Sequence, residues 1–348
     1  MNDGGLKDGG LKVNEPRLTP ERVLQLGRTG LRNHYEKGGI TYDNLLIRLR
    51  PADGETDEKY TSNQGWIGLK EDLIDTVELD AKALQIAEVG YGDIVQTLQK
   101  VQEITDASPE QVIEFTIGKK QYKAKRLGTR QEWPIFVPFP DSSTRSKIKY
   151  SVSSEETKDS LGFTGVHAEL IDKYYFFEGL GAPSFRLSPL NYLAVFEPEK
   201  LAIHREEIEA LYIEPLKEVI ATLIPQRKYL SAKTTDENAF HSRYAMSTLN
   251  VLLQTTIMDF HSPQGEKCIE EVFQDLIGQF NKPNTKAACL YRCFEDSLYY
   301  LAHYHKPEFC KRIFDQLTQN DEEMRKDEQV QYHTSLTSQI KTLEAKLV

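Results

Sequence analysis

Long apolar runs are missing from this sequence of 348 residues. No stretch of 18 consecutive apolar residues occurs, which argues against a transmembrane helix. The first 18 residues contain the glycine-rich repeat GGLKDGGLK and lack the apolar segment of a secretory signal. We therefore expect a cytoplasmic protein without a membrane contact, and we predict that residues 1–18 form a flexible tail.

Cysteine is scarce, with four residues in the whole chain. So few thiols in a chain of this length do not make a disulfide scaffold, and a reducing compartment is expected. A zinc site remains an alternative for one group of residues, although its irregular spacing does not resemble the usual ligand knuckles. The group comprises Cys289, Cys293, His303, His305 and Cys310. We predict buried core cysteines here and no metal site.

Motifs for catalysis and cofactor binding are also missing. The phosphate-binding patterns GxxxxGK[ST] and GxGxxG and the nucleophile pattern GxSxG do not occur. His167-Ala-Glu169 matches half of a zinc deaminase signature, but the required PCxxC is absent. Glu114 is five and six residues from Lys119 and Lys120, which is not the spacing of a nuclease site. We predict no cofactor and favour a protein that is not an enzyme.

Positive charge is concentrated in one segment of an otherwise acidic chain. The net charge is −10, yet residues 118–150 carry nine basic and two acidic side chains. Within GKKQYKAKRLGTR, Gly118-Lys119 is typical of a hairpin turn, and the residues after it alternate as in a strand. Because both rows of this strand contain cations, we predict a hairpin that projects outward with both faces in water.

The basic segment is the predicted contact surface. Lysines and arginines interleaved with aromatic rings suit single-stranded RNA or DNA, so nucleic acid is one possible ligand. The acidic flanking regions favour docking on a partner protein or a second copy of the chain instead. The candidate residues are Lys119, Lys120, Tyr122, Lys123, Lys125, Arg126, Arg130, Trp133, Arg145, Lys147 and Lys149.

The N-terminal part is predicted to contain both helices and a strand. Thr19-Pro20-Glu21 predicts a helix start, and Gly38-Gly39 predicts its end after Lys37. LLIRLR at 45–50 is predicted to be a strand, and 79–104 one or two helices broken near Gly90. Ser108-Pro109-Glu110-Gln111 resembles a further helix start.

The middle of the chain favours short antiparallel strands. We predict strands at 147–153, 164–171, 173–180 and 191–198 and an edge or extended segment at 133–141, because apolar runs there are separated by Gly, Pro and Ser. After residue 198 the apolar period changes to 3.6, which predicts five or six amphipathic helices. The last helix has a leucine stripe at Leu336, Ile340, Leu343 and Leu347 that fits packing on the bundle or pairing with a partner helix.

These patterns predict an α+β fold with a mixed N-terminal part, a mostly antiparallel β-rich middle and a C-terminal helical bundle. The predicted divisions are a tail at 1–18, an α+β domain at 19–198 and a bundle at 199–348. We predict a non-catalytic subunit or adaptor of an assembly that uses the 118–150 segment for contact. The alternatives are a metal-dependent hydrolase or nuclease with a site assembled from distant residues, and a self-assembling shell or filament protein.

Overall fold

The computed structural model describes residues 19–51, 65–128, 135–157, 159–182, 187–223, 236–280, 287–326, 330–331 and 333–347. The predicted tail at 1–18 lies outside these ranges. The helices are α1 (Pro20–Glu36), α2 (Tyr42–Leu49), α3 (Leu73–Ile86), α4 (Tyr91–Asp106), α5 (His167–Tyr174), α6 (Pro189–Phe196), α7 (Pro198–Leu223), α8 (Asp236–Asp259), α9 (Pro263–Phe280), α10 (Ala287–Tyr304), α11 (Pro307–Met324) and α12 (Leu336–Leu347). The strands are β1 (Val112–Ile117), β2 (Lys120–Leu127), β3 (Ile135–Phe136), β4 (Arg145–Ser146), β5 (Lys149–Ser154) and β6 (Ser160–Thr164).

The predicted α+β class is confirmed, with an antiparallel sheet between two helical regions. The main sheet has the order β1-β2-β5-β6, and β3 and β4 form a separate two-stranded ribbon. All pairs in both sheets are antiparallel. None of the described helices is long and apolar enough to cross a bilayer.

The predicted bounds of α1 and the predicted break near Gly90 are confirmed, whereas α3 begins at Leu73 and not at residue 79. Thr19 accepts a hydrogen bond from the Arg22 amide and caps α1, which ends at Glu36 before Gly39 with its φ of 81°. The predicted break near Gly90 separates α3 from α4, and Asp93 bonds back to the Gly90 amide. Hydrogen bonds that the side chains of Thr19 and Asp93 accept therefore cap the N-termini of α1 and α4.

The hairpin around Gly118-Lys119 is also confirmed. Gly118 has a φ of 60°, and the two-residue turn pairs Ile117 with Lys120. A glycine at the first turn position is what a type II′ hairpin requires. Its strand β2 then pairs with β5, so it is a central strand of the sheet and not a projecting one.

The prediction that both hairpin faces are in water is wrong. Tyr122 and Ala124 are each 1% exposed. The Tyr122 ring stacks on Phe115 at 5.5 Å and lies 5.2 Å from the Phe196 ring of α6. Alternation along β2 is present, but one of its rows is covered by α4 and α6 and belongs to the core.

Four predicted strands are wrong. Residues 45–50 lie mainly in α2, and 191–198 lie mainly in α6. Residues 164–171 enter α5, and 173–180 continue from its end without forming a strand. The predicted helix start at 108–111 is a turn that leads into β1.

The C-terminal helices follow the predicted pattern. The period predicted for α9 and α10 is confirmed by buried Phe273 and Phe294, whose rings stack at 5.8 Å. In α12, Leu336, Ile340 and Leu343 are buried, which confirms that this stripe packs on the bundle. The predicted domain division at residue 198 stays a prediction.

Candidate interaction surface

The strand register separates the basic segment into an inner face and an outer face. Residues directly opposite each other in a ladder project from the same side. Lys123 and Lys125 therefore share a side with their neighbours on adjacent strands, away from α4 and α6. We call this side the outer face. It comprises Val112, Glu114, Thr116, Gln121, Lys123, Lys125, Leu127, Lys149, Ser151, Ser153, Ser160, Gly162 and Thr164.

Lys120 and Arg126 lie on the inner side and contact acidic or carbonyl groups of the same chain. Lys120 Nζ forms an ion pair with Glu199 and donates to the Phe196 carbonyl at 3.4 Å. Arg126 Nε lies 3.7 Å from Asp106 Oδ1. These two cations thus join the sheet to the N-terminus of α7 and to the end of α4.

On the outer face, Lys123 is surrounded by carboxylates. Its Nζ lies 3.4 Å from Glu114 and 3.2 Å from Glu155. The hydrogen bonds that Lys123 donates to Glu155 and, with a smaller effect, to Glu114 raise the pKa of Lys123, which keeps it charged. Its charge is nevertheless balanced within the chain, so it contributes little to a field that would attract phosphate.

The remaining basic residues present a smaller surface than the sequence suggests. Lys119 in the turn and Lys125 on β2 are exposed, as are Arg145 and Lys147 beside the second ribbon. Arg130 and Trp133 lie outside the described residues. Among the candidate cations of the described residues, three therefore contact acidic groups of the same chain and four are exposed. The first group is Lys120, Lys123 and Arg126, and the second is Lys119, Lys125, Arg145 and Lys147.

One end of the outer face is closed by a buried polar cluster. Burial lowers the pKa of Lys149, while the charge of Glu178 opposes that shift. Glu178 Oε1 lies 3.3 Å from His167 Nε2, and both side chains are nearly inaccessible. His167 Nδ1 lies 2.9 Å from the Thr164 amide, which donates to it, so Nε2 is the ring atom that faces Glu178. The polar side chains at this end of the outer face therefore make their contacts within the protein.

An exposed aromatic residue was missed by the sequence reasoning. Phe136 of β3 is 37% exposed and lies directly opposite Arg145 of β4. Opposite residues in an antiparallel pair project from the same side, so the ring and the exposed guanidinium share one surface. Only the pairing of the two short strands reveals this neighbourhood, which is why the sequence did not indicate it.

The cysteine and histidine group is dispersed in the bundle. Cys310 Sγ donates to the Leu301 carbonyl at 3.1 Å, and burial raises its pKa to about 11. His305 Nε2 donates to the Ile257 carbonyl at 2.8 Å, whereas His303 is exposed. Cys293 is buried, and the side chain of Cys289 lies outside the described part. No group of three or more metal-ligand side chains converges among the described residues.

A pocket of about 650 Å³ lies between α3 and α7, away from the basic segment. Its floor is fixed by Glu71, whose carboxylate accepts from the amides of Gly68, Leu180 and Gly181. These three hydrogen bonds from two chain segments hold the carboxylate in place and join the segments. No pattern in the sequence predicted this pocket.

No family model, no curated protein and no solved structure matches this chain.

Proposed function

We propose that this protein is a non-catalytic subunit of an assembly that binds a partner protein through the 118–150 segment. The observation that carries this proposal is the exposed pair of Phe136 and Arg145 on the β3–β4 ribbon. Aromatic side chains and arginine are the residues most enriched in protein interfaces, where a ring supplies apolar area and a guanidinium supplies bonds.

Charge balance favours a protein over nucleic acid as the ligand. Lys120, Lys123 and Arg126 each contact a carboxylate of the same chain. A phosphate backbone would have to displace these carboxylates to recruit the three cations, at the expense of internal ion pairs. The exposed cations that remain suit the polar rim of a protein interface.

Ring positions support the same choice. Binding of single strands relies on aromatic side chains on which bases stack. Phe115 and Tyr122 of the hairpin point to the inner side, where Tyr122 is buried in the core. The described outer face carries no aromatic side chain.

The test is affinity purification of the tagged full chain from its host. One double variant combines Phe136→Ala with Arg145→Glu. The control combines Tyr299→Ala with Lys311→Glu, because Tyr299 is an exposed ring and Lys311 an exposed cation on the C-terminal helices. Both variants lose one exposed ring and change the net charge equally.

We expect the first variant to lose a protein that the wild type and the control retain. With that protein purified, its affinity should fall by roughly tenfold to a hundredfold, as for truncation of interface hot spots. Equal retention by all three forms would refute the proposal. Recovery of nucleic acid, released by raised salt and lost in the first variant, would replace the protein partner with RNA or DNA.

A further inference from the structure

Strand β1 is an edge of the main sheet. It pairs with β2 on one side, and the strand order places no strand on its other side within the described part. In a two-residue hairpin the residues that flank the turn exchange both backbone hydrogen bonds, and the pattern then alternates along the strands. Ile117, Phe115 and Ile113 therefore direct their amide and carbonyl groups toward β2.

The amide and carbonyl groups of Val112, Glu114 and Thr116 consequently point away from the sheet. One contact supports this orientation, because Lys100 Nζ donates to the Thr116 carbonyl at 3.3 Å. Among the described residues, these outward groups make no backbone–backbone hydrogen bond beyond the sheet. A row of open amides and carbonyls on an edge strand is a template for another strand.

The side chains of β1 are also only partly covered by the rest of the protein. Ile113, Phe115 and Ile117 lie on the inner side but are only half-buried, while Val112 is 59% exposed. A strand added beside β1 would extend the apolar row over these half-buried side chains. The edge therefore offers apolar area in addition to hydrogen bonds.

We propose that the β1 strands of two copies of this chain pair antiparallel, about a two-fold axis at Phe115. A two-fold axis perpendicular to the sheet keeps each residue on its own face, so it must pass through a residue position. An axis at Glu114 would place two like charges opposite each other, which is destabilising. An axis at Thr116 would pair fewer residues of the strand.

The register centred on Phe115 is self-complementary. It places Phe115 opposite its counterpart, Ile113 opposite Ile117, and Glu114 opposite Thr116. The outward groups of Glu114 and Thr116 then supply the hydrogen bonds between the two copies. The same register brings Lys119 in the turn of one copy toward Glu110, which precedes β1, in the other copy. This match of apolar, polar and charged positions favours a second copy as the occupant.

Lys100 is compatible with this pairing. A carbonyl oxygen has two lone pairs, so the Thr116 carbonyl accepts a bond from a neighbouring strand while Lys100 stays in place. Lysines on sheet edges also act as guards against pairing. A guarding role predicts a monomer, whereas edge pairing predicts a dimer.

The first test measures the mass of the full chain by light scattering at tens of micromolar, where weak dimers become populated. We expect a species of twice the 39.9 kDa chain mass. Thr116→Pro removes one outward amide at a position where an edge strand tolerates proline. It should weaken dimerisation at least tenfold, whereas Thr116→Ala, which keeps the amide, should leave it unchanged.

The second test fixes the register and does not depend on the proline variant. Glu114→Cys and Thr116→Cys chains are prepared separately, mixed and exposed to a short thiol cross-linker. The described native cysteines are buried, so the new thiols react first. Cross-linked dimers should form in the mixture more readily than in either variant alone.

A monomeric wild type would overturn the proposal, as would a dimer unaffected by the proline in a folded variant. Cross-linking that is equal in the mixture and in the single variants would overturn the register. The Phe136 and Arg145 surface lies on a different ribbon, so failure here leaves partner binding intact, and the reverse also holds.

Discussion

Adjacent lysines in the basic hairpin have opposite environments. Lys119 lies in the turn and is exposed, whereas the Lys120 side chain is 20% exposed and contacts Glu199 and the Phe196 carbonyl. The bond to Phe196 satisfies a carbonyl at the end of α6, where a cation is favourable. The two residues therefore serve different purposes despite identical chemistry.

Replacing these lysines separately should distinguish the two environments. Lys120→Ala should lower the free energy of unfolding by about 1 kcal/mol, the upper range for a partly exposed ion pair with an added helix-end contact. Lys119→Ala should change it by less than about 0.5 kcal/mol, as for ordinary surface positions. Urea denaturation measures both. Equal effects would show that Lys120 is not engaged as described.

Alternation along β2 correctly predicts which residues share a side of the sheet, but it does not predict whether that side is buried or exposed. The parity along β2 correctly placed Tyr122 and Lys120 on one side and Lys123 on the other. Counting charges then suggested water on both sides. The physical reason for the error is that Lys120 and Arg126 lie at the margins of a buried row, where long side chains reach surface carboxylates past an apolar centre.

Among the elements, helices with caps or long periods were predictable and short apolar runs were not. The glycine at position 118 marks the hairpin turn. The apolar stripes of α9 and α10 contain enough repeats to show a helical period of 3.6 residues. Runs such as 45–50 and 191–198 are too short to separate helix from strand by periodicity. The decisive local signals were Thr41 and Ser188, whose hydroxyls cap α2 and α6. In the other wrongly predicted strands, packing against neighbouring helices determines the conformation of the chain.

The junction of α7, α8 and α9 shows how helix ends are joined in the bundle. Glu209 of α7 is fully buried and accepts from the amides of His261 and Ser262 at 2.9 Å each. These amides stand at the start of α9, where a negative charge is favourable. Gly265 leaves room for this carboxylate, since an added Cβ would collide with Glu209 Oε2.

Two glycines of α9 provide a matched pair of substitutions. Gly265→Ala should destabilise the protein by about 2 kcal/mol or more, because the new methyl group collides with a buried, hydrogen-bonded carboxylate. Gly278→Ala should stabilise it by about 0.5–1 kcal/mol, because nothing lies within 4 Å of the added Cβ and alanine favours the helix.

Thermal and urea unfolding of the two variants test this contrast. Loss of stability in Gly278→Ala, or none in Gly265→Ala, would contradict the described junction.

For the whole molecule, buried His305 and half-buried His261 couple folding to pH. Burial lowers the pKa of His261 to about 4, with the charge of His305 as the next cause, and burial lowers the pKa of His305 to about 4. His261 Nε2 donates to the Met258 carbonyl at 2.6 Å, and His305 Nε2 to the Ile257 carbonyl. Both neutral rings thus complete the last turn of α8.

The free energy of unfolding should fall as pH is lowered from about 6.5 to about 4. In that window the unfolded chain binds protons at both histidines while the folded chain does not, so acid favours unfolding. The expected loss is on the order of 3 kcal/mol for each histidine, since each unit of pKa shift is worth about 1.4 kcal/mol, and the two losses do not simply add because the two sites interact.

Urea denaturation across this range measures the loss, and the double variant His261→Gln, His305→Gln is the control. Glutamine keeps a donor for the carbonyl but does not titrate, so its stability should depend less on pH. An equal dependence in wild type and variant would rule out these histidines as its source.

The distribution of charge over the whole chain has a local explanation. The acidic residues Asp106, Glu114, Glu155 and Glu199 flank the basic segment in sequence or in space and neutralise three of its cations. The residues of the basic segment that remain exposed include Phe136 and Arg145, which lie opposite each other on the β3–β4 ribbon. We propose that the surface around Phe136 and Arg145 is where the chain binds a partner protein other than a second copy of itself.

Cross-linking mass spectrometry of the complex recovered from the host tests that claim most directly. An amine-reactive reagent reports on Lys147, two residues from Arg145, on Lys119 and Lys125 elsewhere in the 118–150 segment, and on Lys306 and Lys311 at the C-terminal helices. We predict that cross-links to the partner fall on the lysines of the 118–150 segment and are absent from those of the C-terminal helices. Cross-links confined to the C-terminal helices would contradict the account.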